Sequence, residues 1–195
     1  MLGLIEQTGG APLYQLNIIL NGSKPVIWRR IVVPANMKLS RLHKVFQRVM
    51  PWTDSHLHQF VAGEKFYGVP DREYMDDLGP KTLNEIRYTL ADIAPEPKSV
   101  FTYEYDFGDG WEHIVVVEKV LPPDSAFKQV VCLAGENACP PEDCGGIDGY
   151  FNLLNILADP KDEEHKSMKE WLGVEWDAKR FDLNKANADL KRIKA

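Results

Sequence analysis

Four side chains capable of proton or metal chemistry fall within eight consecutive positions: Asp106, Asp109, Glu112 and His113. They flank Gly108-Asp109-Gly110, where glycine supplies the positive backbone dihedrals of a tight reversal. A hairpin there brings carboxylates and an imidazole within hydrogen-bonding reach of one another. Asp106, Asp109 and His113 are therefore candidate catalytic residues, as a general acid and base group or as ligands of a hard metal. The competing reading is structural: an Asp that accepts turn N–H groups, and a His satisfied inside an aromatic strand face.

His56 and His58 form a second set. In an extended segment two residues so spaced point the same way, and paired imidazoles are usable by a metal, although no third ligand is identifiable. A third set is Cys132, Cys139 and Cys144, spaced C-x6-C-x4-C in a loop stiffened by Pro140-Pro141 and released by Gly145-Gly146. Zinc prefers four such ligands, and with His165 or a distant His113 the cysteines would make a structural staple. The plainer reading is thiols buried as small hydrophobes, and a redox or nucleophilic cysteine is a third. Glu142 and Asp143 lie between two of the cysteines. If they face the hairpin turn, the two unusual stretches border one polar recess. In Trp28-Arg29-Arg30 a guanidinium beside an indole can take an anion or stack, with a solvated strand edge as the plainer reading.

The elements that must position these groups follow from periodicity. Phe101, Tyr103, Tyr105 and Phe107 alternate with polar residues, and Trp111, His113, Val115 and Val117 share one face after the turn, which predicts a central aromatic hairpin. Tyr14, Leu16, Ile18 and Leu20 alternate ahead of Asn21-Gly22, with a return strand from Pro25 to Val33. Leu42, Val45, Phe46, Val49 and Met50 recur at helical spacing behind Ser40 as an N-cap, and His43 beside that stripe reads as structural or exposed. Gly68 to Lys81 is a polar connector, and Glu85 to Leu90 reads as a short strand followed by a one-turn helix capped by Thr89. Three C-terminal helices are expected, one capped by Asp148, one from about Asp162 to Leu172, and one starting near Asp182. Strands and one helix come first and helices last, an α+β pattern, with residues 1–12 as a flexible leader and 13–195 as one domain.

With 195 residues, 44% hydrophobic and 27% charged, the composition is that of an ordinary globular chain with a full core. A net charge of −6 argues against a dominant polyanion-binding surface, so nucleic acid is an unfavoured partner. No apolar run reaches the roughly 20 residues of a membrane span, and the N-terminal stretch lacks the basic and apolar regions of a signal peptide. No membrane association and a cytoplasmic location are the expectations. Three cysteines do not make an even disulfide framework.

Read together, Pro25-Val-Ile-Trp-Arg-Arg, Asp54-Ser-His-Leu-His-Gln-Phe, Tyr105-Asp-Phe-Gly-Asp-Gly-Trp-Glu-His and Cys139-Pro-Pro-Glu-Asp-Cys-Gly-Gly resemble the plasmid pRiA open-reading-frame-three-like family. The resemblance runs from about Tyr14 to about Leu190 with the motifs in order. It implies an α+β fold with a β-grasp-like start, a mixed sheet with a packed helix. It also implies an association with bacterial and mobile-element genomes, where relatives carry a transposon-passenger or TnpR label. A serine recombinase needs a nucleophilic Ser among catalytic arginines and a basic helix-turn-helix, and the sequence has neither. The resemblance carries over no catalytic role. What it marks are motif positions, among them Trp28, Arg29, His56, His58, Trp111, Glu142 and Asp143 as candidate binding residues.

The leading expectation is a binding or interaction module with a polar cleft beside the central hairpin. A dense polar motif without a complete catalytic constellation motivates it. The alternatives are a metal-dependent hydrolase using His56, His58, Asp106, Asp109 and His113 to activate water, and a nucleic-acid-associated transposon accessory resting on Arg29-Arg30 and genomic analogy.

Overall fold

The computed structural model describes residues 10–70, 81–173 and 176–193. Positions 1–9 of the expected leader and 71–80 of the polar connector lie outside them. Eight strands form one sheet in the order β5-β4-β3-β6-β7-β1-β2-β8, antiparallel throughout except for β4 and β5. They are β1 (Leu13–Leu20), β2 (Trp28–Pro34), β3 (His58–Ala62), β4 (Lys65–Gly68), β5 (Thr82–Asn84), β6 (Val100–Tyr105), β7 (Trp111–Leu121) and β8 (Val131–Glu136). The five helices among the described residues are α1 (Leu39–Val49), α2 (Leu90–Ile93), α3 (Gly146–Ala158), α4 (His165–Leu172) and α5 (Leu183–Leu190). The molecule is α+β, as the order of periodicities implies.

The aromatic hairpin occupies the middle of the sheet. Tyr103 pairs with His113 and Tyr105 with Trp111 across β6 and β7, and all four are fully buried. The opposite face of β7, with Glu112, Ile114, Val116 and Glu118, is only half covered. Helix α1 lies on the aromatic face, its Leu42, Val45, Phe46 and Val49 at most 1% exposed, with Phe46 edge-on to Tyr103 at 5.0 Å. Each such side chain contributes about 1.5–3 kcal/mol of burial, so the helix is held by its stripe rather than by propensity. Its start is not capped by Ser40. Lys38 holds the N-cap position, because Leu39 is already turned inward at 0% exposure.

Other boundaries shift for local reasons. The return strand begins at Trp28 rather than Pro25, because Ser23 Oγ takes the Ile27 N–H at 2.9 Å and keeps the chain in a loop. The strand expected within 85–90 sits earlier, at β5, and Glu85–Arg87 is a 3-10 turn. The one-turn helix after it carries the Thr89 cap, reciprocated by Asp92. Asp148 lies in the first turn of α3, behind an N-cap at Gly145, and α4 begins only at His165. Asp182 caps α5 as expected, accepting the Lys185 N–H at 2.9 Å. Among the described residues no helix is long and apolar enough to cross a membrane.

Candidate functional site

Strand β6 ends where Asp106 turns into the left-handed region, φ 55°. Its backbone N–H donates to Leu57 O at 2.8 Å, and its carbonyl accepts the Gly110 N–H at 2.6 Å. One carboxylate oxygen, Oδ1, accepts the Gly108 N–H at 3.0 Å, as an Asp opening a turn does. The other, Oδ2, faces His56 Nδ1 at 3.6 Å. His56 Nε2 lies 3.3 Å from Asp143 Oδ1, and Asp143 is also left-handed, at φ 60°. Ligand atoms of His56, Asp106 and Asp143 fall within 4.8 Å of one another. The cluster runs from core to solvent, with side-chain exposures of 11% for Asp106, 29% for His56 and 73% for Asp143.

The cysteine loop is fastened to the hairpin turn on both sides of this cluster. Asp109 Oδ2 accepts the Gly145 N–H at 3.2 Å, so this acid secures the entry to α3. Gly146 lies so close that a Cβ there would stand 2.3 Å from Asp109 O. Glu142 accepts from Tyr105 OH at 2.5 Å and from Thr53 Oγ1 at 2.6 Å. Burial and that bond to Glu142 push the Tyr105 hydroxyl well above its ordinary pKa. Trp52 stacks on Tyr105 at 5.0 Å and donates its indole N–H to Pro140 O at 3.0 Å. The acidic turn and the sulfur-bearing loop therefore meet, with Asp143 at their seam.

The other sequence candidates sit elsewhere. His113 does not join Asp106 and Asp109, because it belongs to the inward stripe of β7. Its Nδ1–H donates to Tyr103 O at 3.2 Å, and burial lowers its pKa to about 4. His113 Nε2 and Trp111 Nε1 are buried without a partner among the described residues. His56 and His58 do not share a ligand direction, since β3 starts only at His58 and His56 occupies the bend before it. His58 instead stacks on His43 at 3.4 Å and pairs with Glu85 at 2.8 Å. His43 is buried and bonds Tyr103 OH at 2.8 Å and Asp54 at 2.5 Å.

Arg29 is not at a solvated edge. β8 and α5 extend the structure beyond β2, leaving Arg29 1% exposed with Phe181 over its guanidinium at 4.3 Å. Trp28 donates to Glu136 at 3.2 Å, and Arg30, not Arg29, stacks on it at 5.1 Å. The sulfur-centred zinc set of Cys132, Cys139, Cys144 and His165 does not assemble. Among the described residues the one convergent group of three or more metal-competent side chains is His56, Asp106 and Asp143. Cys132 faces Ala134 O from β8, and His165 bonds Ile156 O at 2.9 Å between α4 and α3. Burial raises all three thiols, Cys132 to about 11 and Cys144 to about 12, so they stay protonated. The grouping of His56 with Asp106 and Asp143 was not legible as a set. Its one local sign is the Asp-x-Gly-Asp-Gly turn, which orients Asp106.

The family model described as plasmid pRiA4b ORF-3-like protein matches residues 12–185. A protein of Sinorhizobium fredii, uncharacterized protein y4hQ, is 40% identical over 184 residues, covering 92% of this chain and 93% of the relative. The crystal structure of a protein of unknown function, MM3350 from Methanosarcina mazei, superposes with a TM-score of 0.78 at 36% identity, covering 89% of this chain and 96% of that one. Sequence motifs, whole-length identity and fold thus agree, and the chain belongs to the plasmid pRiA4b ORF-3-like family.

Proposed function

We propose that this chain is a binding module whose recess, between the hairpin turn and the cysteine loop, takes a divalent cation on His56, Asp106 and Asp143. The observation that carries this is the convergence of one imidazole and two carboxylates within 4.8 Å. Two ligands about 2.1 Å from one ion and roughly at right or tetrahedral angles lie about 3.0–3.4 Å apart. His56 Nδ1 and Asp106 Oδ2, 3.6 Å apart, are close to that separation, and the exposed Asp143 side chain has room to swing from Nε2 onto the same ion. One imidazole nitrogen binds the ion, so the ring gives up one of its two carboxylate contacts. Nitrogen with carboxylate oxygen favours zinc, manganese or iron over a soft cation. The β-grasp-like reading of the fold is supported by its opening order of hairpin, packed helix and strand.

A metal-dependent hydrolase is the second reading. The exposure of Asp143 favours it, since three protein ligands facing solvent leave positions for an activated water. Elemental analysis after dialysis against zinc or manganese tests the site. We expect about one ion per chain, lost in Asp106→Asn and His56→Ala and kept in Cys139→Ser. Loss confined to the cysteine variant would move the ion to the sulfur loop. Turnover of phosphate-ester substrates by the loaded wild type, absent in Asp106→Asn, separates the hydrolase from the plain module.

A further inference from the structure

On the other side of the cysteine loop, a cleft of about 390 Å³ opens between the end of α1, the 138–142 stretch and the segment leading into α5. That volume is within the range of small-molecule pockets. Its walls carry the rings of Trp52, Trp176 and Phe181 and the cations Arg29, Arg48, Arg180 and Lys185, and none of His56, Asp106 and Asp143. The site is therefore distinct from the cation site.

Arg29 is the unusual group. Its guanidinium donates to four main-chain carbonyls, those of Val49, Trp28, Glu136 and Asn137, at 2.8–2.9 Å. A guanidinium has five N–H groups, so one Nη2 proton has no acceptor among the described residues. No carboxylate there lies within ion-pair distance of it either, and the neighbouring Cys139 and Cys132 thiols are neutral. A charge buried with carbonyl dipoles and one aromatic face, and no counter-ion, carries a desolvation cost that an anion nearby would offset.

Four carboxylates also line the cleft and keep their charge: Glu142, which accepts from Tyr105 and Thr53, Asp177, which accepts the Lys179 N–H at 2.9 Å, Asp182, which caps α5, and Asp189. Arg48 and Lys185, both exposed at the rim, form no ion pair with the described residues. We infer that the cleft binds a small aromatic carboxylate, its ring against Trp176 and Phe181 and its carboxylate directed toward Arg29, Arg48 and Lys185. Planar carboxylate matches the guanidinium fork, and the aromatic walls suit a flat ring.

Phenylacetate and its neutral amide, phenylacetamide, are the probes. Tryptophan emission from the cleft reads the titration, with EDTA present so that the cation site is silent. Phenylacetate should bind saturably below about 10 mM, as a ligand of this size can. The amide should bind about tenfold more weakly, the worth of one charge-assisted contact. Arg48→Ala with Lys185→Ala, at exposed positions that leave the fold intact, should weaken phenylacetate by about fivefold or more, and Trp176→Ala should weaken it too, leaving Trp52 as the reporter. Asp106→Asn should leave the titration unchanged, which keeps this result independent of the cation site. Equal binding of acid and amide, indifference to the double variant, or no saturable response would overturn the proposal.

Discussion

His113 and His43 are imidazoles that the fold keeps neutral. Burial is the main cause for both, helped at His43 by the stacked His58 and opposed by its bond to Asp54. Each falls from an ordinary 6.5 to about 4. Between those values the unfolded chain binds protons that the folded chain does not. Their stabilising effect is therefore complete above pH 6.5 and is lost as pH falls toward 4, on the order of 3 kcal/mol for each. Urea midpoints measured from pH 7.5 to pH 4.5 should fall steadily. His113→Phe should remove about half of that slope while keeping the aromatic stripe. A wild-type midpoint flat across the window would show that both rings find protonated partners in the fold.

Helix α3 and the β6–β7 turn are joined where no side chain fits. Gly146 has φ 67°, and its Cβ would stand 2.3 Å from Asp109 O, which is backbone and cannot swing away. Gly63 has a similar φ, 59°, but open space around it. Alanine at Gly63 should cost about 1 kcal/mol from backbone strain alone, and alanine at Gly146 about 2–4 kcal/mol, because the loop must also lift. Thermal melts of the two variants compare the costs directly. Equal shifts would mean that the contact between turn and loop is soft. If it lifts, Asp143 leaves His56, and Gly146→Ala should also weaken cation binding without touching a ligand.

The three thiols report on the integrity of the entire sheet and its covering loop. Cys132 lies in the edge strand β8, and Cys139 and Cys144 in the loop that Trp52 and the hairpin turn hold down. All are free, and burial keeps them protonated. A thiol-specific disulfide reagent at pH 8 should react with the folded protein about tenfold or more slowly than with protein in urea, where all three are released. Rapid labelling of one thiol in the native state would identify a loop that opens. Cys144, the one partly exposed thiol, is then the expected site.

Local periodicity was enough for the α+β class, the aromatic hairpin, the α1 stripe and the caps at Thr89 and Asp182, because alternation and capping are properties of neighbours in the chain. Family membership was legible too, since ordered motifs survive without coordinates. Contacts between distant segments were not. Nothing near His56 marks it as the partner of Asp143, 87 positions later, and nothing near Arg29 shows that β8, α5 and Phe181 will bury it. The cysteine spacing left buried thiols and a zinc staple both open, and it is the strand that takes Cys132 and the packing around Cys139 that bury those two. Neighbour-to-neighbour preference decides which way a strand's side chains alternate. Only the packing of the assembled sheet decides which of those side chains meet.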